Sequence, residues 1–133
     1  MNTLKRKDIL YPELSFQIIG VLFEVSNKMG YQFQEKYYQK AIAALFQQTG
    51  IKFKEQLSVP LMINGKKITT GRVDFLIEEK IILEIKRGDV FLKQNIDQLN
   101  SYLKMADLEL GILANFTSHG LQFKRILNIK NHS

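Results

Sequence analysis

Asp74 and Glu84 interrupt two otherwise apolar runs in "RVDFLIEEKIILEIK", residues 72–86, and Lys86 follows Glu84 by two positions. Hard carboxylate oxygens are donors for a divalent cation, and an ammonium beside them can stabilise negative charge on a substrate. The spacing predicts that the acids meet. Side chains alternate across a strand, so Val73, Phe75 and Ile77 are expected on one face and Arg72, Asp74 and Leu76 on the other. In the next strand Ile81, Leu83 and Ile85 share a face, and Ile82, Glu84 and Lys86 share its opposite. A turn of Glu78, Glu79 and Lys80 pairs Ile77 with Ile81. That register sets Asp74 opposite Glu84 and Arg72 opposite Lys86.

Opposed side chains on one face lie about 5 Å apart, where two like charges at an effective dielectric of ~20 repel by roughly 3 kcal/mol. This is a large share of the ~5–15 kcal/mol that holds a domain together. A shared proton, a salt bridge from Lys86 or Arg72, or a divalent cation would offset it. The cation does so most completely, and Mg²⁺ commonly takes one or two carboxylates and keeps several waters. The competing reading makes Asp74 and Glu84 edge charges on a solvated face.

The elements around these residues follow from periodicity. "PELSFQIIGVLFEVSNKMG" predicts a first helix, with Pro12 at its start, Gly30 at its end, and Phe16, Ile19, Phe23 and Val25 near its buried face. "QEKYYQKAIAALFQQTG" predicts a second, with Tyr38, Ile42 and Leu45 inward beside Ala41 and Ala44, and Gly50 as its stop. Asn64-Gly65 marks a hairpin between "IKFKEQLSVPLMI" and "KKITTGRVDFLI", and "IILEIK" is a third strand. "DVFLKQNIDQLNSYLKMA" returns to helical spacing through Leu92, Ile96, Leu99 and Leu103, with Asp89 as its cap. "LELGILANF" is a fourth strand, and "LQFKRILNI" fits either a last strand or a short helix. The order α-α-β-β-β-α-β implies an α/β or α+β sandwich.

Composition narrows the chemistry. The 133 residues suit a single domain over 1–133, with residues 1–11 and 128–133 as flexible ends. Without cysteine there is no disulfide, thiol catalysis or Cys-type zinc site, and two histidines, His119 and His132, are too few for a His-rich one. Any metal must therefore bind oxygen. The net charge of +6 is compatible with a polyanionic partner. No apolar run approaches the ~20 residues of a membrane span, so no membrane association is expected. With no secretory leader in "MNTLKRKDIL", the expected location is cytoplasmic.

Together these residues resemble the PD-(D/E)XK nuclease superfamily and, within it, the GxxExxY family of small bacterial proteins. The resemblance runs from about residue 15 to about residue 126, through "MGYQFQEKYYQKAI", "VPLMINGKKI", "RVDFLIEEKIILEIK", "QNIDQLNSYLK" and "LGILANF". Glu35 and Tyr38 stand at the family's positions, whereas its glycine is replaced by Gln32, with Gly30 nearby, and Ser26 stands where many relatives have histidine. The resemblance implies a restriction-endonuclease-like core, a mixed sheet of four to five strands flanked by helices. It implies a metal-dependent nuclease, acting on DNA in preference to RNA. Asp74, Glu84 and the backbone carbonyl of Ile85 would hold Mg²⁺, or Mn²⁺, with Glu35 as an auxiliary acid. Lys86 would act on the attacking water and the phosphate. Gln98 and Tyr102 resemble a QxxxY element that contacts substrate; their spacing puts both on one helical face. Gln56, Lys124 and Arg125 are further candidates for nucleic-acid contact, with solvated surface as their alternative. The alternative to an enzyme is a non-catalytic nucleic-acid-binding or protein-interaction module on the same fold. A homodimer and a partner protein for targeting are both left open.

Overall fold

The computed structural model describes residues 10–129. Helix α1 spans Pro12–Met29, with proline in its first turn, where a missing N–H costs nothing. Its inward face is Ser15, Ile18, Leu22, Val25 and Ser26, with Val21 beside them. Val25 is buried as expected, whereas Phe16 is 80% exposed and Phe23 42%. The helix carries two apolar stripes, and the one made of aliphatic and small residues packs inward. Phe23 instead meets the ring of Phe123 edge-on at 6.4 Å.

Helix α2 spans Glu35–Thr49 and buries Tyr38, Ile42, Ala43 and Phe46. Leu45 is only half-buried and Ala44 is exposed. The Tyr38 ring stacks on Phe116 at 4.3 Å between centroids, and its hydroxyl donates to the Gly30 carbonyl at 2.5 Å. That bond ties the α1–α2 connection to the start of α2.

Five strands follow: β1 Phe53–Ile63, β2 Lys66–Ile77, β3 Ile81–Arg87, then, after helix α3 (Lys93–Ala106), β4 Leu110–Thr117 and β5 Gly120–Leu127. The order is therefore α-α-β-β-β-α-β-β, and the ambiguous last segment is a strand. The sheet order is β1-β2-β3-β4-β5. The β3–β4 pair, joined through α3, is parallel, and the other three pairs are antiparallel. Asn64 and Gly65 turn the β1–β2 hairpin at φ 50° and 77°, the sign that a two-residue primed turn requires. Pro60 is tolerated because β1 is an edge strand.

The sheet separates two cores. Ile18, Leu22, Tyr38, Ile42 and Phe46 cover Phe75, Ile77, Ile81, Leu83, Ile85, Ile112 and Phe116 on one side. On the other, Leu99 and Leu103 of α3 cover Val59, Val73, Leu76, Ile82 and Leu113. Strict alternation along β2 therefore fails at one point, because Val73 and Phe75 enter different cores. The matching irregularity in β1 is Gln56, which has φ 49° and is skipped in the ladder between Glu55–Phe75 and Leu57–Val73. The hairpin turns over beside Asp74.

Asp89 does not cap α3, whose N-cap is Leu92 without a side-chain hydrogen bond. Its carboxylate instead accepts from the Ser118 N–H at 2.8 Å and hydroxyl at 2.9 Å, tying the β3–α3 connection to the β4–β5 turn. Leu92, expected on the buried stripe of this helix, is 46% exposed. Of the ends expected to be flexible, residues 1–9 and 130–133 lie outside the described residues. Within the described residues, Arg125 Nη2 donates to the Leu10 carbonyl at 2.9 Å and the Asn128 N–H donates to the Glu109 carbonyl at 2.8 Å. No helix among the described residues is long and apolar enough to cross a membrane.

Candidate active site

The β2–β3 ladder has three pairs, Ile77–Ile81, Leu76–Ile82 and Phe75–Leu83. At the next position side chains take over from the main chain. The Asp74 N–H donates to Glu84 Oε1 at 2.9 Å, and the Ile85 N–H donates to Asp74 Oδ2 at 2.7 Å. Each carboxylate thus accepts a backbone N–H from the opposite strand. The expected pairing of Arg72 with Lys86 does not form, since the β2–β3 ladder ends at Phe75–Leu83 and Arg72 pairs with Ser58 in β1.

Burial sets the charge state. Glu84 is 5% exposed. Its burial, and then the charge of Asp74, push its pKa up to about 8 against the stabilising Asp74 N–H and Lys86. Asp74 is raised as well, chiefly by burial, although the Ile85 N–H and Lys86 pull it down. The negative charge of Glu35 raises both. Lys86, half-buried on β3, lies near enough for its charge to act on both acids.

Helix α2 brings more than Glu35. One turn further on, Gln39 Nε2 donates to Asp74 Oδ1 at 3.2 Å, and Gln39 Oε1 accepts from Gln56 Nε2 at 2.9 Å. Asp74 is thus held on one oxygen by Ile85 and on the other by a glutamine relay that starts at the β1 irregularity. Sequence reading missed Gln39. Its only local signal is the i, i+4 spacing from Glu35, which puts both on one helical face.

Asn115, also missed, is 3% exposed and sits beside Lys86 in the β3–β4 ladder. Its amide nitrogen donates to the Gly88 and Val90 carbonyls at 3.3 and 2.9 Å, which fixes the connection after Lys86. Its Oδ1 is buried without a hydrogen-bond partner among the described residues.

The two α3 residues separate in role. Gln98 is exposed. The Tyr102 ring lies against Gly71 of β2: a Cβ there would fall 2.6 Å from the tyrosine oxygen, so only glycine fits without displacing the ring. Neither residue hydrogen-bonds Asp74, Glu84 or Lys86 among the described residues. Lys124 lies over the Phe91 ring at 5.0 Å, and Arg125 Nη2 binds the Leu10 carbonyl.

The donor set suits a hard divalent ion. It consists of carboxylate oxygens, one of them made costly to ionise by burial and by its neighbour, and a cation would relieve that cost. Among the described residues no three His, Cys, Asp or Glu side chains cluster closely enough to hold a metal together. Asp74 and Glu84 are the two carboxylates that meet at this junction.

Comparison with known proteins identifies the family. A family model of the PD-(D/E)XK nuclease superfamily matches residues 12–126. No curated protein matches the chain. Among solved structures, SSO0001 superposes with a TM-score of 0.58 at 20% identity, over 72% of this chain and 50% of that one. An alkaline exonuclease from Laribacter hongkongensis matches at a TM-score of 0.49 and 14% identity, over 65% of this chain and 52% of its own. The chain thus spans about half the length of these structures, and the likeness to SSO0001 is one of fold.

Proposed function

The chain belongs to the PD-(D/E)XK nuclease superfamily, and on that premise we propose that it is a metal-dependent nuclease cutting phosphodiester bonds, in DNA rather than RNA. The observation that carries this reading is the junction of Asp74 and Glu84, bonded to each other's strands where β2 leaves β3, with Lys86 two residues on. Within the superfamily we place the chain in the GxxExxY group. Support comes from Glu35 at the head of α2 and from Tyr38, whose hydroxyl holds the Gly30 carbonyl. We place its action in the cytoplasm.

Asp74 and Glu84 would hold Mg²⁺ or Mn²⁺, with the Ile85 carbonyl as a backbone ligand. A divalent ion so held supplies polarisation of a phosphoryl oxygen and a more acidic bound water. The protein's own part is orientation and charge. Gln39 and the Ile85 N–H fix the two Asp74 oxygens, so the carboxylate does not have to be reorganised during reaction. Lys86 supplies positive charge toward the phosphate as negative charge accumulates on its oxygens. Glu35 adds negative charge that strengthens cation binding. Gln98, exposed on α3, and Tyr102 are proposed to meet substrate beside this centre.

The test is cleavage of labelled DNA and RNA by the purified chain with Mg²⁺ or Mn²⁺, beside Lys86→Ala. Metal-dependent cutting lost in the variant, with the fold intact by circular dichroism, supports the reading. Equal trace activity in both defeats it, and nucleic-acid affinity indifferent to metal would then favour a binding module without turnover.

A further inference from the structure

Beyond Gln56 and Asp74 the β1–β2 hairpin has no third strand among the described residues. Leu57 to Ile63 pair with Lys66 to Val73, while β3 pairs with β2 no further than Phe75. The base of this ribbon is fixed to α3, through Leu57, Val59 and Val73 in the α3 core and the Tyr102 ring on Gly71. From Pro60 to Thr70 every residue except half-buried Leu61 is exposed. The ladder shifts between Leu61 and Met62, leaving Ile68 as an extra residue opposite them, a bulge that increases the local twist.

Its chemistry is one-sided. Lys66, Lys67 and Arg72 are all exposed, and none forms a salt bridge among the described residues. Between Gln56 and Val73 there is no Asp, Glu, Phe, Tyr or Trp.

We propose that this ribbon is the duplex-engaging element of the protein, lying in a groove of double-stranded nucleic acid with Lys66, Lys67 and Arg72 on the phosphates. The inference rests on the nuclease reading and adds the substrate class to it. A two-stranded ribbon fits the major groove, about 12 Å wide. From Arg72 to Lys66 the ribbon extends about 20 Å at ~3.3 Å per residue, the length of about six base-pair steps. Proteins that grip single strands stack bases on aromatic side chains, and this surface has none. Met62, Ile63 and Ile68, exposed near the tip, are suited to thymine methyl groups and base edges. Because Arg72 and Asp74 are on one strand, a duplex held by the ribbon is placed at a fixed distance from the acids.

Lysine, proline and a bulge on an edge also discourage strand-to-strand aggregation, and the test separates that role from binding. Fluorescence anisotropy, with Ca²⁺ replacing Mg²⁺ and a salt titration, compares a labelled duplex with one of its single strands. The proteins are wild type, the triple variant Lys66→Ala/Lys67→Ala/Arg72→Ala, and Lys28→Ala on α1 as a control. The expected result is tighter wild-type binding to duplex and a loss of at least about tenfold in the triple variant. Its log–log salt slope should also fall by about 3, near one unit per phosphate contact removed. Undiminished duplex binding by the triple variant, equal losses on both substrates, or no nucleic-acid binding by wild type would overturn the proposal. Duplex binding through the ribbon without cutting would defeat the nuclease reading and leave this one standing. Duplex cutting at low substrate concentration that is unimpaired in the triple variant would do the reverse.

Discussion

Asp74 and Glu84 face each other across a split in the sheet, with the Asp74 N–H donating to Glu84 Oε1 at 2.9 Å. The bond occupies the place where the next rung of the β2–β3 ladder would be. Burial of Glu84, and after it the charge of Asp74, carries an energetic cost that shows as a Glu84 pKa of about 8.

That cost predicts a stability gain on neutralisation. Glu84→Gln keeps the shape and removes the buried charge. It should raise the melting temperature in EDTA above pH 8, by on the order of 1–3 kcal/mol of stability, while abolishing metal-dependent cleavage. Thermal denaturation beside a cleavage assay checks both. A melting temperature equal to or below wild type at that pH would contradict the assignment of strain to this pair.

The pH dependence has a definite sign. In the folded chain Glu84 keeps its proton to about pH 8, against about 4.5 when unfolded. Its contribution to stability is therefore complete below about pH 4.5 and is lost as pH rises through 8. The slope from this one group is at most about 1.4 kcal/mol per pH unit. Chemical denaturation in EDTA across that window should show the decline, and Glu84→Gln should flatten it. Mn²⁺ must displace the same proton, so its affinity by calorimetry should rise from pH 6 to 8.

Gln39 predicts an effect without direct contact with reacting atoms. Gln39→Ala frees Asp74 Oδ1 and breaks the link to Gln56. Losses of outer-sphere partners at metal sites commonly cost about 10–100-fold in metal affinity or activity. The loss should appear in Mn²⁺ affinity and be partly rescued by saturating metal, whereas a loss insensitive to metal concentration would point to misfolding.

Gly71 and Tyr102 predict a steric coupling. Gly71→Ala puts a methyl group where the Tyr102 ring lies and should destabilise the chain by about 1–3 kcal/mol. Combining it with Tyr102→Ala should recover part of that loss, which denaturant titration of the double-mutant cycle would show.

How much of this was legible varies by residue. The register of Ile77 with Ile81 came from turn length and the two-residue period of strands, both local properties. The inward side of α1 was misread because Phe16 and Phe23 form a stripe as periodic as the buried one. Choosing between them required knowing that the sheet accepts Ile18 and Leu22. The switch of β2 between cores was equally hidden, since it coincides with a left-handed Gln56 in another strand.

Alternation and a short turn were enough to bring Asp74 and Glu84 together, because neighbouring strands joined by three residues have little freedom of register. The rest of the centre was decided by tertiary packing. Gln39 lies 35 residues from Asp74 in sequence, and Asn115 reaches Val90 from 25 residues away. Contacts at that separation depend on how α2 and β4 dock against the sheet, which no local pattern encodes.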